Sequence, residues 1–373
     1  MSKTRDEVRE EALGALRIHK RAGAGISMGV GKTRLGLEHF QLVINKYNKV
    51  HDQDANALIV APTKVIIKGW KDEAIKWNME HLLENISFST YRSLTKQVIE
   101  DFDVVYLDEC HSLKLSHDVW LRKFDGYIIG LTGTPPDPRY KSEKLRMVEK
   151  YCPIKYKYLI DEAISDSILN DYKITVHMLA LDRDKTHLVK TKDKSWYTSE
   201  YENYNYWTQR VSQSFGDSRM KMSVMRMKAM QVYKTKDAYG KKLLDQAEEK
   251  CILFANEQKQ ADALCTHSYH SNNKDSEVNM EKFEQGEITK LSCVLQLSEG
   301  ANVLGLKKIV ILHAYGNNKK SAQRIGRGLR LNPNDTCEID ILCFKHTVDE
   351  KWVTNALEGF DQSKISWYDA TII

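Results

Sequence analysis

The chain has 373 residues and a formal net charge of +5, from 56 Lys and Arg against 51 Asp and Glu. This length predicts two domains, and the mildly basic charge is compatible with nucleic acid without requiring it. Seven scattered cysteines indicate reduced thiols rather than a disulfide framework or a zinc site, and no apolar run reaches transmembrane length. We therefore expect a cytoplasmic protein with no membrane partner.

Candidate strands and helices alternate in two blocks, residues 1–155 and 251–373. Short apolar runs between helices are typical of α/β proteins with buried parallel sheets. Residues 156–250 differ in composition, and we predict a helical linker or insert there. The candidate strands are 57–61, 86–90, 104–107 and 127–131 in the first block, and 251–255, 291–297, 309–313 and 338–344 in the second.

The first candidate site is a glycine-rich turn at residues 27–33, which ends in Lys32 and Thr33. Such turns direct backbone N–H groups at a phosphate, the lysine adds a cation, and the threonine hydroxyl can ligate Mg²⁺. A helix beginning near Thr33 would point its positive end at the same phosphates. Ile26 stands where the strict G-x-x-x-x-G-K-T spacing has glycine. The residues predicted to hold the nucleotide are Met28, Gly29, Val30, Gly31, Lys32, Thr33 and Arg34.

The second candidate site is a pair of adjacent acids, Asp108 and Glu109, after the apolar run 103–107. A buried parallel strand would bring both acids to the sheet edge where α/β proteins bind ligands. We expect Asp108 to hold Mg²⁺ together with Thr33, and Glu109 to activate the water that attacks the γ-phosphate. Together with the glycine turn, these acids predict hydrolysis of a nucleoside triphosphate.

Two interpretations of the middle segment stay open. Six Tyr and Trp residues in 193–210, followed by a Met-rich basic helix in 219–239, could stack on bases or contact phosphates. Met220, Val224 and Met227 recur at helical spacing, which favours packing inside the protein. Lys221, Arg226 and Lys228 would then be secondary DNA contacts.

Seven segments, in family order, resemble the motifs of superfamily 2 helicases and translocases. Residues 323–330, QRIGRGLR, are similar to motif VI and are the most specific. The compact layout looks most like phage-encoded helicases of the branch-migration type. The other segments are 28–33 (motif I, Swi/Snf-like), 57–63 (Ia), 108–111 (II, spelled DECH), 131–135 (III), 251–255 (IV) and 298–302 (V).

This resemblance implies two tandem RecA-like domains, with a helical insert between them, that close over ATP and Mg²⁺. From the second domain, Gln323, Arg327 and Arg330 would reach the nucleotide, and arginine forks suit charge on a transferred phosphoryl group. Coupling between the ATP site and the nucleic-acid track is expected from Thr132, Gly133 and Thr134. Contacts that follow a strand without reading its sequence are expected from Pro62, Thr63, Lys64, Thr90, Tyr91, Arg92, Ser298, Glu299 and Gly300.

The resulting hypothesis is an ATP-dependent translocase or helicase that moves along duplex or branched DNA. No wedge for separating strands is evident in the sequence, which favours duplex translocation over unwinding. A conventional helicase that separates the strands of DNA or RNA is one alternative. A motor subunit or binding module that depends on a partner protein is another. We expect a monomer, located in the host cytoplasm if the gene is carried by a phage.

Overall fold

The computed structural model describes residues 2–27, 29–139, 141–190, 194–294, 305–313, 335–358 and 360–370, with only the backbone at residue 65. These residues form two compact units, the first extending through Asp171 and the second beginning at Tyr172. None of the described helices is both long and apolar enough to span a bilayer.

The first unit is built on a sheet whose described strands all pair in parallel. Its strand order is β3-β2-β4-β5-β1-β6. The strands are β1 Arg21–Ile26, β2 Ala57–Ala61, β3 Ile86–Thr90, β4 Val104–Asp108, β5 Tyr127–Thr132 and β6 Ile154–Tyr158. The helices are α1 Arg5–Arg17, α2 Lys32–His51, α3 Lys64–Lys76, α4 Asp118–Leu121, α5 Glu143–Tyr151 and α6 Ile160–Ser165.

Strands β2 and β4 are neighbouring interior strands of this sheet, and every residue in them is buried. Branched aliphatic residues fill both faces because helices cover both sides of a parallel α/β sheet. The four strands predicted in this block are therefore confirmed. Since the strands run parallel, their carboxyl ends meet at one edge, and residues 29–33, 62–64, 91–92, 108–109 and 132–134 lie at or just after strand ends there.

Strand β1 was not predicted, although it leads directly into the glycine turn. Its sequence, RAGAGI, is poor in the β-branched and aromatic residues that mark strands. The small residues are needed because β1 lies between β5 and β6, and atoms of other segments lie close to its backbone. A Cβ atom on Gly23 would lie 2.6 Å from the Cys152 carbonyl oxygen, so only glycine fits there.

The second unit contains a sheet in the order β11-β12-β10-β13-β14-β7-β15 and a small antiparallel hairpin, β8-β9. Its strands are β7 Asp171–Leu179, β8 His187–Lys190, β9 Ser195–Thr198, β10 Cys251–Phe254, β11 Ser268–Tyr269, β12 Lys290–Cys293, β13 Lys308–Ile311, β14 Thr336–Phe344 and β15 Ile365–Asp369. Its described helices are α7 Glu200–Ser212, α8 Gly216–Gln231, α9 Lys234–Asp245, α10 Gln258–Leu264, α11 Ser276–Gln285 and α12 Val348–Leu357. The strands predicted near 251, 291, 309 and 338 are present as β10, β12, β13 and β14. Two parallel sheets flanked by helices confirm the predicted tandem RecA-like architecture.

The segment 156–250 differs from the expected helical insert, because β7 joins the second sheet and β8-β9 forms a hairpin. Helices α7, α8 and α9 follow. On α8 only Met230 is buried, whereas Met220 is 65% exposed and Val224 is 41% exposed. The packing interpretation is therefore wrong for Met220 and Val224. Helical spacing of apolar residues indicated a buried face, but α8 packs mainly on α7 and leaves these side chains outside.

Candidate active site

The glycine turn lies between the end of β1 and the first residue of α2. Gly29 and Gly31 have φ angles of 86° and 112°, a backbone region in which side chains are strained. Gly31 is the N-cap of α2, and no side-chain hydrogen bond caps this helix. The first amides of α2 therefore face the turn without a side-chain acceptor, as an anion-binding helix terminus requires.

Lys32, the first residue of α2, donates to a carboxylate oxygen of Glu109 across 2.7 Å. Both side chains are only 12% exposed, so this ion pair is largely withdrawn from water. Burial alone would raise the pKa of the Glu109 carboxyl. The charges of Lys32 and His111, with the hydrogen bonds from Lys32 and the Gly133 amide, outweigh it and lower the pKa to about 2. The two predicted catalytic residues thus lie in contact.

The backbone places Glu109 in an unusual conformation directly after strand β4. Its φ and ψ angles are 48° and 53°, in the left-handed region that non-glycine residues seldom adopt. Strain of this kind persists where the surrounding structure holds it, commonly at functional sites. The turn aims the Glu109 side chain back toward Lys32, while Asp108 remains in the sheet.

Asp108 ends β4 and is 5% exposed. The indole N–H of Trp70 donates to its Oδ2 across 2.7 Å, and the Glu109 amide donates to its Oδ1 across 2.9 Å. The Tyr91 hydroxyl donates to its backbone carbonyl across 2.8 Å. Burial, and then the neighbouring Glu109 charge, raise the pKa of this carboxyl to about 6. A cation beside Asp108 would favour its ionised form.

Residues from the end of β5 hold the other oxygen of Glu109. Thr132 donates to Glu109 Oε2 through its hydroxyl across 3.2 Å, and the Gly133 amide does so across 3.4 Å. His111 Nδ1 lies 2.8 Å from the Thr132 hydroxyl, which also accepts from the Thr134 amide across 3.1 Å. The three residues predicted to couple the sites therefore form one hydrogen-bonded network with Glu109.

The oxygen donors of this site suit Mg²⁺. Thr33 offers a hydroxyl from the first turn of α2, and Asp108 offers a carboxylate from β4; hard cations of this type prefer oxygen ligands. In the described part of the chain, no group of three or more His, Cys, Asp and Glu side chains could hold a metal by itself. A magnesium ion here would consequently depend on nucleotide oxygens and water as well.

Two of the predicted nucleic-acid segments follow neighbouring strands. Ala61 of β2 pairs with Thr90 of β3, so Lys64 and Arg92 follow adjacent strand ends, and both are exposed. Tyr91 differs from the expected surface contact. It is 7% exposed, and its hydroxyl donates a hydrogen bond to the Asp108 carbonyl.

The remaining predicted residues divide into two groups. Arg34 was predicted to hold the nucleotide. Its guanidinium lies 3.6 Å from the centre of the Trp77 ring and forms an ion pair with Glu38. The residues that lie outside the described part of the chain are Met28, Ser298, Glu299, Gly300, Gln323, Arg327 and Arg330.

Sequence reasoning missed Trp70, the donor to Asp108, and His111 as a partner of Thr132. Trp70 lies on α3, the helix that follows β2. Nothing local in sequence could connect Trp70 with an acid 38 residues away. His111 stands beside the acids, but its orientation depends on β5.

A glycine turn opening α2, a lysine paired with an acid at the end of β4, and a second parallel α/β unit define a P-loop ATPase with tandem RecA-like domains. Residues 4–137 match the family model of the type III restriction enzyme res subunit, and residues 234–332 match that of the helicase conserved C-terminal domain. The chain belongs to the superfamily 2 helicases and translocases, and is a nucleic-acid-dependent ATPase.

Individual relatives agree with this assignment. The chain is 23% identical over 370 residues to the DNA 3'-5' translocase XPB2 of Sulfurisphaera tokodaii, covering 91% of this chain and 81% of the relative. A fragment assigned to the HsdR subunit of a type I restriction enzyme from Vibrio vulnificus YJ016 has a TM-score of 0.63, with 16% identity over 97% of this chain and 67% of that one. The Pyrococcus furiosus Hef helicase domain has a TM-score of 0.51 and 14% identity over 95% and 99%. At these identities the two structures support the fold alone.

Proposed function

We propose that this protein is an ATP-dependent DNA translocase that couples hydrolysis to movement along duplex or branched DNA. The observation that carries the proposal is the contact of Lys32 with Glu109 beside Asp108, at the sheet edge where Lys64 and Arg92 are exposed. The similarity to a protein named as a DNA translocase supports DNA as the track.

In this proposal, the glycine turn and Lys32 hold the phosphates of ATP. The Thr33 hydroxyl and the Asp108 carboxylate would provide oxygen ligands for Mg²⁺. Lys32 exchanges the Glu109 carboxylate for phosphate oxygens. Glu109 is then free to accept a proton from the attacking water, while Thr132 and Gly133 keep its other oxygen in place. Mg²⁺, when bound, neutralises charge on the phosphates. Gln323, Arg327 and Arg330 are proposed to complete the site.

Nucleic acid is proposed to follow Pro62, Thr63, Lys64, Thr90 and Arg92, and motif V residues Ser298, Glu299 and Gly300. Contacts of small residues and cations with phosphates are independent of sequence. The track begins at the ends of β3 and β2, and β2 pairs with β4, which ends in Asp108. Movement of the track residues is thereby connected to the ATP site through one sheet.

A second candidate is a motor subunit that acts only with a partner protein. The match of residues 4–137 to a restriction enzyme subunit model favours it. In that case the ATPase would be intact but weakly stimulated by DNA alone. Copurification from the native host would identify the partner.

The test is ATP hydrolysis without nucleic acid and with single-stranded DNA, duplex DNA, a four-way junction, and RNA. We expect duplex or junction DNA to give the largest stimulation. Glu109→Gln should lower the stimulated rate by about 10²–10⁴-fold, since it removes the general base. Glu84→Gln, an exposed acid away from the site, should leave the rate unchanged.

Other outcomes would change the assignment. Stimulation by single strands or RNA alone would indicate a conventional helicase. No stimulation by any nucleic acid would contradict an autonomous translocase and favour the partner-dependent motor. An unchanged rate in Glu109→Gln would remove Glu109 from the mechanism.

A further inference from the structure

Trp70 is a buried side chain that contacts the candidate metal-binding acid. It lies on α3, is 1% exposed, and donates its indole N–H to Asp108 Oδ2 across 2.7 Å. Hydrogen bonds to a buried carboxylate are strong and directional. Indole has one donor and no acceptor, so it can serve an ionised carboxylate without offering a competing lone pair. The bond defines where one oxygen of Asp108 points.

The indole ring cannot rotate freely, because two other elements enclose it. A Cβ atom on Gly36 of α2 would lie 2.3 Å from Trp70 Cη2, so the backbone of the helix that begins at Lys32 packs against the ring. Tyr106 of β4 lies on another side, with ring centres 6.3 Å apart. The position of the indole N–H relative to Asp108 therefore depends on the position of α3.

Trp70 lies in the middle of α3, and the amino end of this helix is a proposed nucleic-acid contact. Thr63 is the N-cap of α3 and Lys64 is its first residue. The Thr63 hydroxyl is buried and, within the described residues, has no hydrogen-bond partner. Six residues of helix, about 9 Å at 1.5 Å per residue, connect Lys64 to Trp70. Because one continuous helix connects the two residues, a shift of α3 at Lys64 would also move the indole.

We propose that Trp70 is a positioning residue that couples nucleic-acid contact at residues 62–64 to the orientation of the Asp108 carboxylate. This inference rests on the proposed function. It gives α3 a defined role: nucleic acid at its amino end adjusts the carboxylate that Mg²⁺·ATP needs. Trp70 itself touches neither nucleotide nor nucleic acid in this proposal.

The test compares Trp70→Phe with Trp77→Phe. Each variant removes one indole N–H, that of Trp70 from within α3 and that of Trp77 from its C-cap. The Trp77 N–H donates to the carboxylate of Glu73, away from Asp108. In Trp70→Phe, we expect the Mg²⁺ concentration for half-maximal hydrolysis to rise about tenfold, as for other groups that orient metal ligands. The stimulation ratio with duplex DNA should fall toward one. Trp77→Phe should match the wild type in both.

A readout that is independent of activity uses the seven tryptophan indoles as NMR probes in the ¹⁵N-labelled wild type. The Trp70 cross-peak is the one missing in Trp70→Phe. If that variant does not fold, the peak is identified as the indole most broadened by Mn²⁺·ADP. We expect this cross-peak to shift when duplex DNA is added without nucleotide, and the Trp77 peak to shift less.

Each contrary result has its own meaning. A wild type that no nucleic acid stimulates would contradict the proposed function. A stimulated wild type whose Trp70 cross-peak is unmoved by DNA would overturn the coupling role alone. So would a folded Trp70→Phe variant with wild-type Mg²⁺ dependence and stimulation ratio.

Discussion

At the scale of single residues, the site depends on two adjacent acids with opposite surroundings. Glu109 faces the cation of Lys32, whereas Asp108 lies in the sheet and accepts hydrogen bonds from neutral donors, Trp70 and the Glu109 amide. Burial therefore dominates for Asp108, and charge compensation dominates for Glu109. Neighbours in sequence thus acquire different properties because the left-handed turn at Glu109 sends their side chains to different partners.

His39 provides a prediction about stability and pH. It is 2% exposed on α2, lies 2.7 Å from the Tyr106 hydroxyl, and burial lowers its pKa from 6.5 to about 4. Below pH 6.5 the unfolded chain takes up a proton that the folded chain refuses, so stability is lost as the pH falls toward 4. We expect this group to cost about 2 kcal/mol between pH 7.5 and pH 5.

The measurement is urea unfolding of the wild type and His39→Gln at both pH values. The variant is expected to lose about 2 kcal/mol less than the wild type on acidification. His51→Gln, at the exposed end of the same helix, serves as the control and should lose as much as the wild type. Equal acid losses in all three proteins would show that His39 is not the group responsible.

At the scale of elements, glycine has different roles in two helices of the first unit. A Cβ atom added to Gly14 of α1 would have no neighbouring atom within 4 Å, whereas one added to Gly36 of α2 would lie 2.3 Å from Trp70. Gly36 thus allows α2 and α3 to approach closely, and Gly14 does not serve packing.

Alanine substitutions separate these roles. Gly14→Ala should raise the free energy of unfolding by about 0.5–1 kcal/mol, because alanine favours helix. Gly36→Ala gains the same propensity but should lower it by a net of about 1–3 kcal/mol through overpacking against a buried ring. Thermal or urea unfolding measures both. Stabilisation by Gly36→Ala would mean that Trp70 can move aside at little cost.

A buried ion pair in the second unit shows what element patterns do not reveal. Lys236 of α9 and Asp349 of α12 are both fully buried, and their side chains pair directly although 113 residues separate them. By pattern alone, each charged residue belongs on a solvated helix face. Only tertiary packing, of α9 on β10 and β13 and of α12 on β14, brings the two charges together.

At the scale of the whole molecule, a net charge of +5 is too small to define a nucleic-acid surface by itself. Location matters more than total charge. Lys64 and Arg92 follow the carboxyl ends of β2 and β3, while Lys20 precedes β1 at the opposite edge and pairs with Asp125. Binding should therefore depend on the first two cations and not on the third.

We expect Lys64→Ala and Arg92→Ala each to weaken duplex binding and to reduce the slope of log affinity against log salt by about one. The loss should be similar for unrelated DNA sequences, because phosphate contacts carry no sequence information. Fluorescence anisotropy between about 50 and 200 mM salt measures both quantities. Lys20→Ala is the matched control, and an equal effect there would contradict a localised track.

The sequence alone determined those features that depend on neighbouring residues. Apolar runs identified β2, β3, β4 and β5, and the glycine turn with Lys32 and Thr33 identified the phosphate loop. The order of seven motifs indicated the family. For the strands and the phosphate loop the physical cause is local: burial on both faces, positive φ angles, or amides exposed at a helix terminus.

Only the tertiary structure decided the partners of these residues. It paired Lys32 with Glu109 across 77 positions and Trp70 with Asp108 across 38, and it placed the Tyr91 hydroxyl on the Asp108 carbonyl inside the protein. It also made a strand of the glycine- and alanine-rich β1, because this segment pairs in parallel with β5 on one side and β6 on the other. Such contacts depend on strand order and helix packing, which bring distant segments together and which no local pattern encodes.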